Sequence, residues 1–129
     1  MGQPVEEFRK LAAAYNMAPH HFHKDKRGFI IVTRQGIDYL QAHLGIVVTF
    51  ETVLEWSDPE AGRYVIKATG TILRKDGSKH FISSFGETSK ANNTNPYPVA
   101  MCEKRALSRV VLKLVGMYEL GVMGEDEIN

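Results

Sequence analysis

The sequence predicts an α+β fold: a three-stranded antiparallel β-meander packed by a long C-terminal helix, with short helices before it. Three observations carry that expectation. Residues 98–116 place Val99, Ala106, Leu107, Val110, Val111 and Leu114 on one apolar arc at 100° per residue, opening on Pro98 and closing on Gly116, the pattern of a helix lying on a core. Residues 46–85 read as three strands separated by turn chemistry at Ser57–Gly62 and by the tight Asp76-Gly77 hairpin, an arrangement that pairs neighbours antiparallel. Finally, 129 residues with 43% hydrophobic content suit one domain with one core.

In chain order, Val5, Phe8, Leu11, Ala12 and Tyr15 stand at helical spacing and predict a short amphipathic helix over 5–15. Residues 16–28 mix Pro19, Gly28, histidine and charge without a period and read as loop. The organisation expected is therefore an N-terminal helix and basic loop over 1–28, a core domain over 29–124, and an acidic mobile tail over 125–129.

Phe29–Val32 is a short apolar strand, after which Thr33 can cap a helix through Leu44 that ends on Gly45 and packs through Ile37, Leu40 and Leu44. Ile46 to Trp56 alternates, placing Ile46, Val48, Phe50, Leu54 and Trp56 on the side expected to be buried. Tyr64, Ile66, Ala68, Gly70 and Ile72 form the inner face of the second strand, with Arg63 and Lys67 outside, and Lys79 to Phe85 makes the third. The polar stretch from Gly86 to Tyr97 is expected as a loop leading into the long helix, and Met117 to Gly124 as an apolar extended segment.

Charge is near balance, with a formal net of +1, so binding of polyanions by bulk charge is not the expectation. Distribution matters more. Arg105, Arg109 and Lys113 follow at i, i+4 and i+8 on the long helix with no acid at that spacing to pair them, a row suited to a string of phosphates. Further cations stand at Lys24, Lys26 and Arg27, and at Arg74, Lys75 and Lys79 around the hairpin, while acids gather at Glu125, Asp126 and Glu127. Gly86 and Lys90 offer anion contacts where the loop meets the helix. Glu103 projects into the apolar arc between Val99 and Val110 and would need a partner there, from another element or from a neighbouring subunit.

His20, His21 and His23 raise the alternative of a metal-dependent hydrolase. Their spacing supplies no His-x-x-x-His pair on a helix, and Cys102 is the single cysteine, so no second cluster completes a site and no cofactor is expected. No stretch has the apolar length of a membrane span, the first residues lack the pattern of a secretion signal, and the cytoplasm is the expected location.

The order of elements, Gly36–Leu40 through Gly45, the Leu73–Ser78 hairpin, Gly86, and the string Glu103-Lys104-Arg105-Ala106-Leu107-Ser108-Arg109 through Gly116 resembles the single-strand annealing superfamily, that of the Rad fifty-two type and the phage recombinases of Red beta and RecT type. The resemblance covers roughly residues 29–116. It implies a β-β-β-α core that assembles into rings or filaments, binds single-stranded DNA in a basic groove and promotes annealing of complementary strands in recombination, without being an enzyme. It further implies a phage origin, action in a bacterial host cell, and a nuclease or replication partner. Anchored on Gly116, Arg109 and Lys113 match the family's helix cations, with Arg34 near a further basic position. A protecting module for single-stranded DNA or RNA that does not anneal is the nearer alternative.

Overall fold

A computed structural model describes residues 3–93 and 96–127. The chain is α+β, as expected. Its elements are α1 (Gln3–Ala14), β1 (Phe22–Lys24), β2 (Ile30–Val32), α2 (Arg34–His43), β3 (Val47–Thr52), β4 (Tyr64–Leu73), β5 (Lys79–Thr88), α3 (Pro98–Leu114) and β6 (Met123–Gly124). They form two three-stranded sheets, ordered β1-β2-β6 and β3-β4-β5.

The second sheet is the expected meander. β3 pairs antiparallel with β4, Val47 opposite Thr71 through Thr52 opposite Ile66, and β4 pairs antiparallel with β5 along its whole length. Gly77 turns the hairpin at φ 87°, where an L side chain is disfavoured, and Asp76 accepts from the amide and hydroxyl of Ser78. α2 starts as its sequence suggests, the Thr33 hydroxyl accepting from the Gly36 amide.

α3 lies between two apolar clusters. Cys102, Ala106 and Val110 pack on Ile66 and Ala68 of the meander, while Val111, Leu112 and Val115 join Phe8, Ala12, Val32, Ile37, Leu40, Met117 and Val122. The line facing the sheet runs through Cys102, Ala106 and Val110, and this corrects two expectations. Val99 is 50% exposed and Glu103 is exposed, because both lie off that line near the start of the helix. No buried carboxylate needs a partner there.

The rest of the chain corrects the sequence reading where short or edge elements are concerned. Part of the supposed loop 16–28 is β1, whose three residues pair with β2, and Phe8 meets the Phe22 ring edge-on at 5.0 Å. The N-terminal segment shares a core with α2 and α3 through Phe8 and Ala12. β3 ends at Thr52. Ser57 Oγ then donates to the Val53 carbonyl and accepts from the Val65 amide, turning the chain away from the sheet and leaving Phe50 39%, Leu54 78% and Trp56 54% exposed. The buried face expected through Trp56 stops short because β3 is an edge strand that α3 does not cover. Met117 and Val122 are buried, so the main apolar side chains of the 117–123 segment are covered by their own chain, and Tyr118 is its one large apolar side chain left exposed, at 42%. Residues 125–127 form a turn folded onto α3 instead of a mobile tail; residues 128 and 129 of that expected tail lie outside the described residues.

β5 continues three residues beyond the predicted strand, through Gly86 to Thr88. Gly86 permits the close approach of helix and strand: a Cβ there would overlap the Cys102 carbonyl oxygen and come within 2.6 Å of the Ala106 amide nitrogen. Both are backbone atoms of α3 and cannot rotate aside. Gly86→Ala is accordingly expected to lower stability by about 3 kcal/mol, the upper end for overpacking, read as a shift in urea midpoint; an unchanged midpoint would mean that the helix does not sit this close to the strand.

Candidate nucleic-acid interface

The helix cations are where the sequence places them along α3, but the ridge is not bare. α3 runs antiparallel to β5, and the side chains of Arg105, Arg109 and Lys113 reach in turn for Glu87, Phe85 and Ser84 along that strand. The expectation of an unpaired row opposite the core is corrected here. Arg105 is 3% exposed. Its Nε donates to the Asp126 carbonyl at 2.9 Å, Nη1 to the Glu87 carbonyl at 3.0 Å and the Asn92 Oδ1 at 3.2 Å, and Nη2 to the Asn92 carbonyl at 2.9 Å. A buried charge is tolerated only when its donors are met, and here they fasten β5, the loop after it and residues 125–127 to one guanidinium.

Arg109 extends the arrangement. Its Nε and Nη2 grip both carboxylate oxygens of Glu127, at 2.6 and 2.9 Å, in the planar fork that guanidinium and carboxylate share. Nη1 donates to the Phe85 carbonyl at 2.6 Å and to Glu87 at 3.2 Å. The hydrogen bonds it donates to Glu127, then those to Glu87, raise the pKa of Arg109 against the opposing effect of burial. Lys113 is half-buried, donating to Ser84 Oγ at 3.1 Å with its ammonium 5.0 Å from the centre of the Tyr118 ring.

The acids come from far along the chain, which is why helix spacing alone did not reveal them. Glu125 accepts from the Arg34 amide at 2.6 Å, so the start of α2 is tied to the same acidic turn. Asp126 is buried enough that its pKa is raised, despite the opposing pull of Arg34 and Lys104. Arg34 itself is exposed.

The hairpin cations differ. Arg74, Lys75 and Lys79 are exposed at the end of the meander toward which α3 carries Lys113, and none of the three forms an ion pair among the described residues. Lys90 is exposed as well, its aliphatic stem lying against Gly62. The sequence-predicted cations thus fall into a clamped group, Arg105 and Arg109 with Lys113 beside them, and an open group, Arg74, Lys75 and Lys79, with Arg34 and Lys90 exposed elsewhere.

Sequence reasoning overlooked the aromatic rings on the meander face turned away from α3. Phe81 is 68% exposed, and Phe85 meets Trp56 with ring centroids 5.5 Å apart. The signal was present as alternation: Ile82, Ser84 and Gly86 face the helix, so Phe81 and Phe85 must face the other way.

The histidines are structural in geometry. His21 is buried, its ring stacked on Tyr39 at 4.5 Å, and its Nδ1 accepts from the Ala18 amide at 2.9 Å. His23 is an exposed residue of β1. Among the described residues no group of three or more His, Cys, Asp or Glu is placed to hold a metal, and no helix is long and apolar enough to cross a membrane.

No family model matches the chain, and no curated protein matches it. Among solved structures, a candidate lipoprotein from Caulobacter crescentus CB15 is similar at 13% identity over 68% of this chain and 77% of that one, with a TM-score of 0.27. At that level the likeness carries no argument about fold or function.

The clamp and the buried histidine each have a measurable consequence. Arg105→Ala is expected to cost about 3 kcal/mol in denaturant unfolding, because it leaves buried carbonyls unmet, whereas Lys10→Ala on the exposed face of α1 should stay within about 0.5 kcal/mol; equal effects would refute the clamp. Burial and the neighbouring His20 lower the pKa of His21 from 6.5. Its neutral form is therefore the folded form, the unfolded chain binds the extra proton, and stability is complete above pH 6.5 and lost as pH falls through the depressed value. His21→Asn, which keeps an acceptor and removes the titration, should flatten that acid slope in unfolding curves below pH 6.5.

Proposed function

We propose that this chain binds single-stranded DNA and promotes the annealing of complementary strands as a homo-oligomer, the function implied by its resemblance to the single-strand annealing superfamily. The observation that best supports this reading is the hairpin Leu73–Lys79, where Arg74, Lys75 and Lys79 project into solvent and form no ion pair among the described residues, Asp76, which fixes the turn, acting on Arg74 only through its charge. Annealing needs no covalent chemistry. It needs cations that hold the phosphates of one strand while the base edges stay free to pair. A fixed hairpin presenting three cations is suited to that task, and repetition around an oligomer would sum weak contacts along a strand.

In this reading the strand meets the hairpin first. Lys113, already engaged with Ser84 and Tyr118, flanks it, while Arg34 and Lys90 are accessory contacts. Arg105 and Arg109 are left out of the contact set because their donors are committed inside the protein. Neither Glu103 nor the 117–123 segment now argues for the oligomer; that part of the proposal rests on the resemblance.

The test is a salt titration of oligonucleotide affinity beside a strand-annealing assay. Replacing Arg74, Lys75 and Lys79 together with Ala should weaken binding to all base sequences alike, lower the salt slope by about 0.7 for each phosphate no longer neutralised, and slow annealing, with chelator having no effect. Unchanged affinity and slope in the triple variant would remove the hairpin from the interface; binding without acceleration of pairing would reduce the function to strand protection.

A further inference from the structure

The meander has one face on α3 and one face open, and the open face is not the plain polar surface usual for a half-buried sheet. Reading across the register, Val47, Thr71 and Phe81 form one row, Thr49, Thr69 and Ser83 the next, and Glu51, Lys67 and Phe85 the third. Trp56 packs beside Phe85, and the Trp56 carbonyl accepts from Arg63 Nε at 3.2 Å. Phe81 and Phe85 are separated by four residues of extended strand, about 13 Å. Trp56 is 54% exposed and Phe81 68% exposed.

We infer that this open face is a stacking platform for unpaired nucleobases, with Trp56, Phe81 and Phe85 as the rings and with Arg63 and Lys67, continued by Arg74, Lys75 and Lys79 at the hairpin end, meeting the phosphates. The inference rests on the reading that the chain binds a single strand, and specifies where the bases lie. A base offers a flat π-face to any exposed ring whatever its identity, so stacking of this kind is tolerant of sequence. That tolerance is what pairing of arbitrary complementary strands requires.

The layout favours bases over a second copy of the chain. A protein interface of useful size has a contiguous apolar centre depleted in charge, and here a row of hydroxyls crosses between the rings, Thr69 and Ser83 joined at 2.8 Å. Lys67 lies opposite Phe85 with only a loose pairing to Glu51 at 3.8 Å. Acids are also present at this end of the face: Glu51, Glu55 and Glu87. Glu87 is already held by Arg109, and the cations Arg63, Lys67, Arg74, Lys75 and Lys79 outnumber the remaining acids of the face and hairpin, Glu51, Glu55 and Asp76.

Trp56 is the single tryptophan of the chain, which makes the test direct. The full chain is titrated with an oligonucleotide of thymidines and with an abasic oligonucleotide of the same length, monitored by Trp56 fluorescence and affinity, with melting temperature and light scattering recorded for each variant. The platform predicts quenching by the thymidine strand only, tighter binding of that strand than of the abasic one, and a loss of about tenfold in thymidine affinity for Trp56→Leu or Phe81→Leu, with abasic affinity and melting temperature unchanged. If both strands bind equally and fluorescence does not change, the platform is wrong while single-strand binding survives. If neither binds, both readings fall. If the ring variants instead dissociate an oligomer and leave the ratio of the two affinities near one, the face belongs to a second copy and the platform is overturned.

Discussion

The arrangement depends on one guanidinium that water hardly reaches. Arg105 bears a charge whose burial would be costly, and that cost is offset only because its nitrogens find the carbonyls of Glu87, Asn92 and Asp126. Arginine suits the place because its donors lie in one rigid plane and reach several acceptors at once; a lysine would present a single point charge. Arg109, one turn further on, repeats the device with Glu127 and the Phe85 carbonyl. Together they close the free edge of β5 at its end, where the Phe85 and Glu87 carbonyls would otherwise be open to another strand. The same pair holds the acidic turn Glu125–Glu127 on the helix, and through Glu125 the start of α2.

This division of labour among cations shapes the functional proposal. A charge that is already hydrogen-bonded within its own protein must lose those bonds before it can hold a phosphate, whereas an exposed cation has only water to give up. Near-neutral net charge is then no obstacle, because Glu87 and Glu127 are spent on the clamp while the cations around the hairpin form no ion pair among the described residues. The meander carries both parts of the proposed interface, with phosphates at its hairpin end and bases on its open face. Gly86 keeps the other face tight against α3, so the sheet is held rigid behind the surface that would be used.

Legibility in the sequence tracked the range of the interactions. The Thr33 cap, the Asp76-Gly77 turn, the inner face of β4 and the extent of α3 are set by residues within a turn or two of one another, and each was readable. The two- and three-residue strands β1 and β6 were not, since so short a run has no period to detect. The helix cations were visible as a row, yet their hydrogen-bond partners stand 13 to 29 residues away along the chain, beyond any local pattern, so the row read as bare. Trp56 failed in the opposite sense. Its alternation with Phe50 and Leu54 assumed a strand through residue 56, but β3 ends at Thr52 and a 3-10 turn over Leu54–Trp56 carries the ring to the open face beside Phe85, while Phe50 stays on the side that holds Ala68. Glu103 was misplaced by a small rotation of the helix, enough to move one side chain from a core line to solvent.

The central claim is that the α3 arginines are committed internally while the hairpin cations are free to meet a strand. Side-chain NMR of the arginine Nε–H groups, without and with a thymidine oligonucleotide, tests it most directly. The account predicts slowly exchanging, well-resolved Nε–H signals for Arg105 and Arg109 that hardly move on addition of the strand, and a fast-exchanging Arg74 signal that is slowed and shifted. An Arg109 signal that exchanges freely in the unbound protein, or that shifts with the strand while Arg74 stays unchanged, would contradict it.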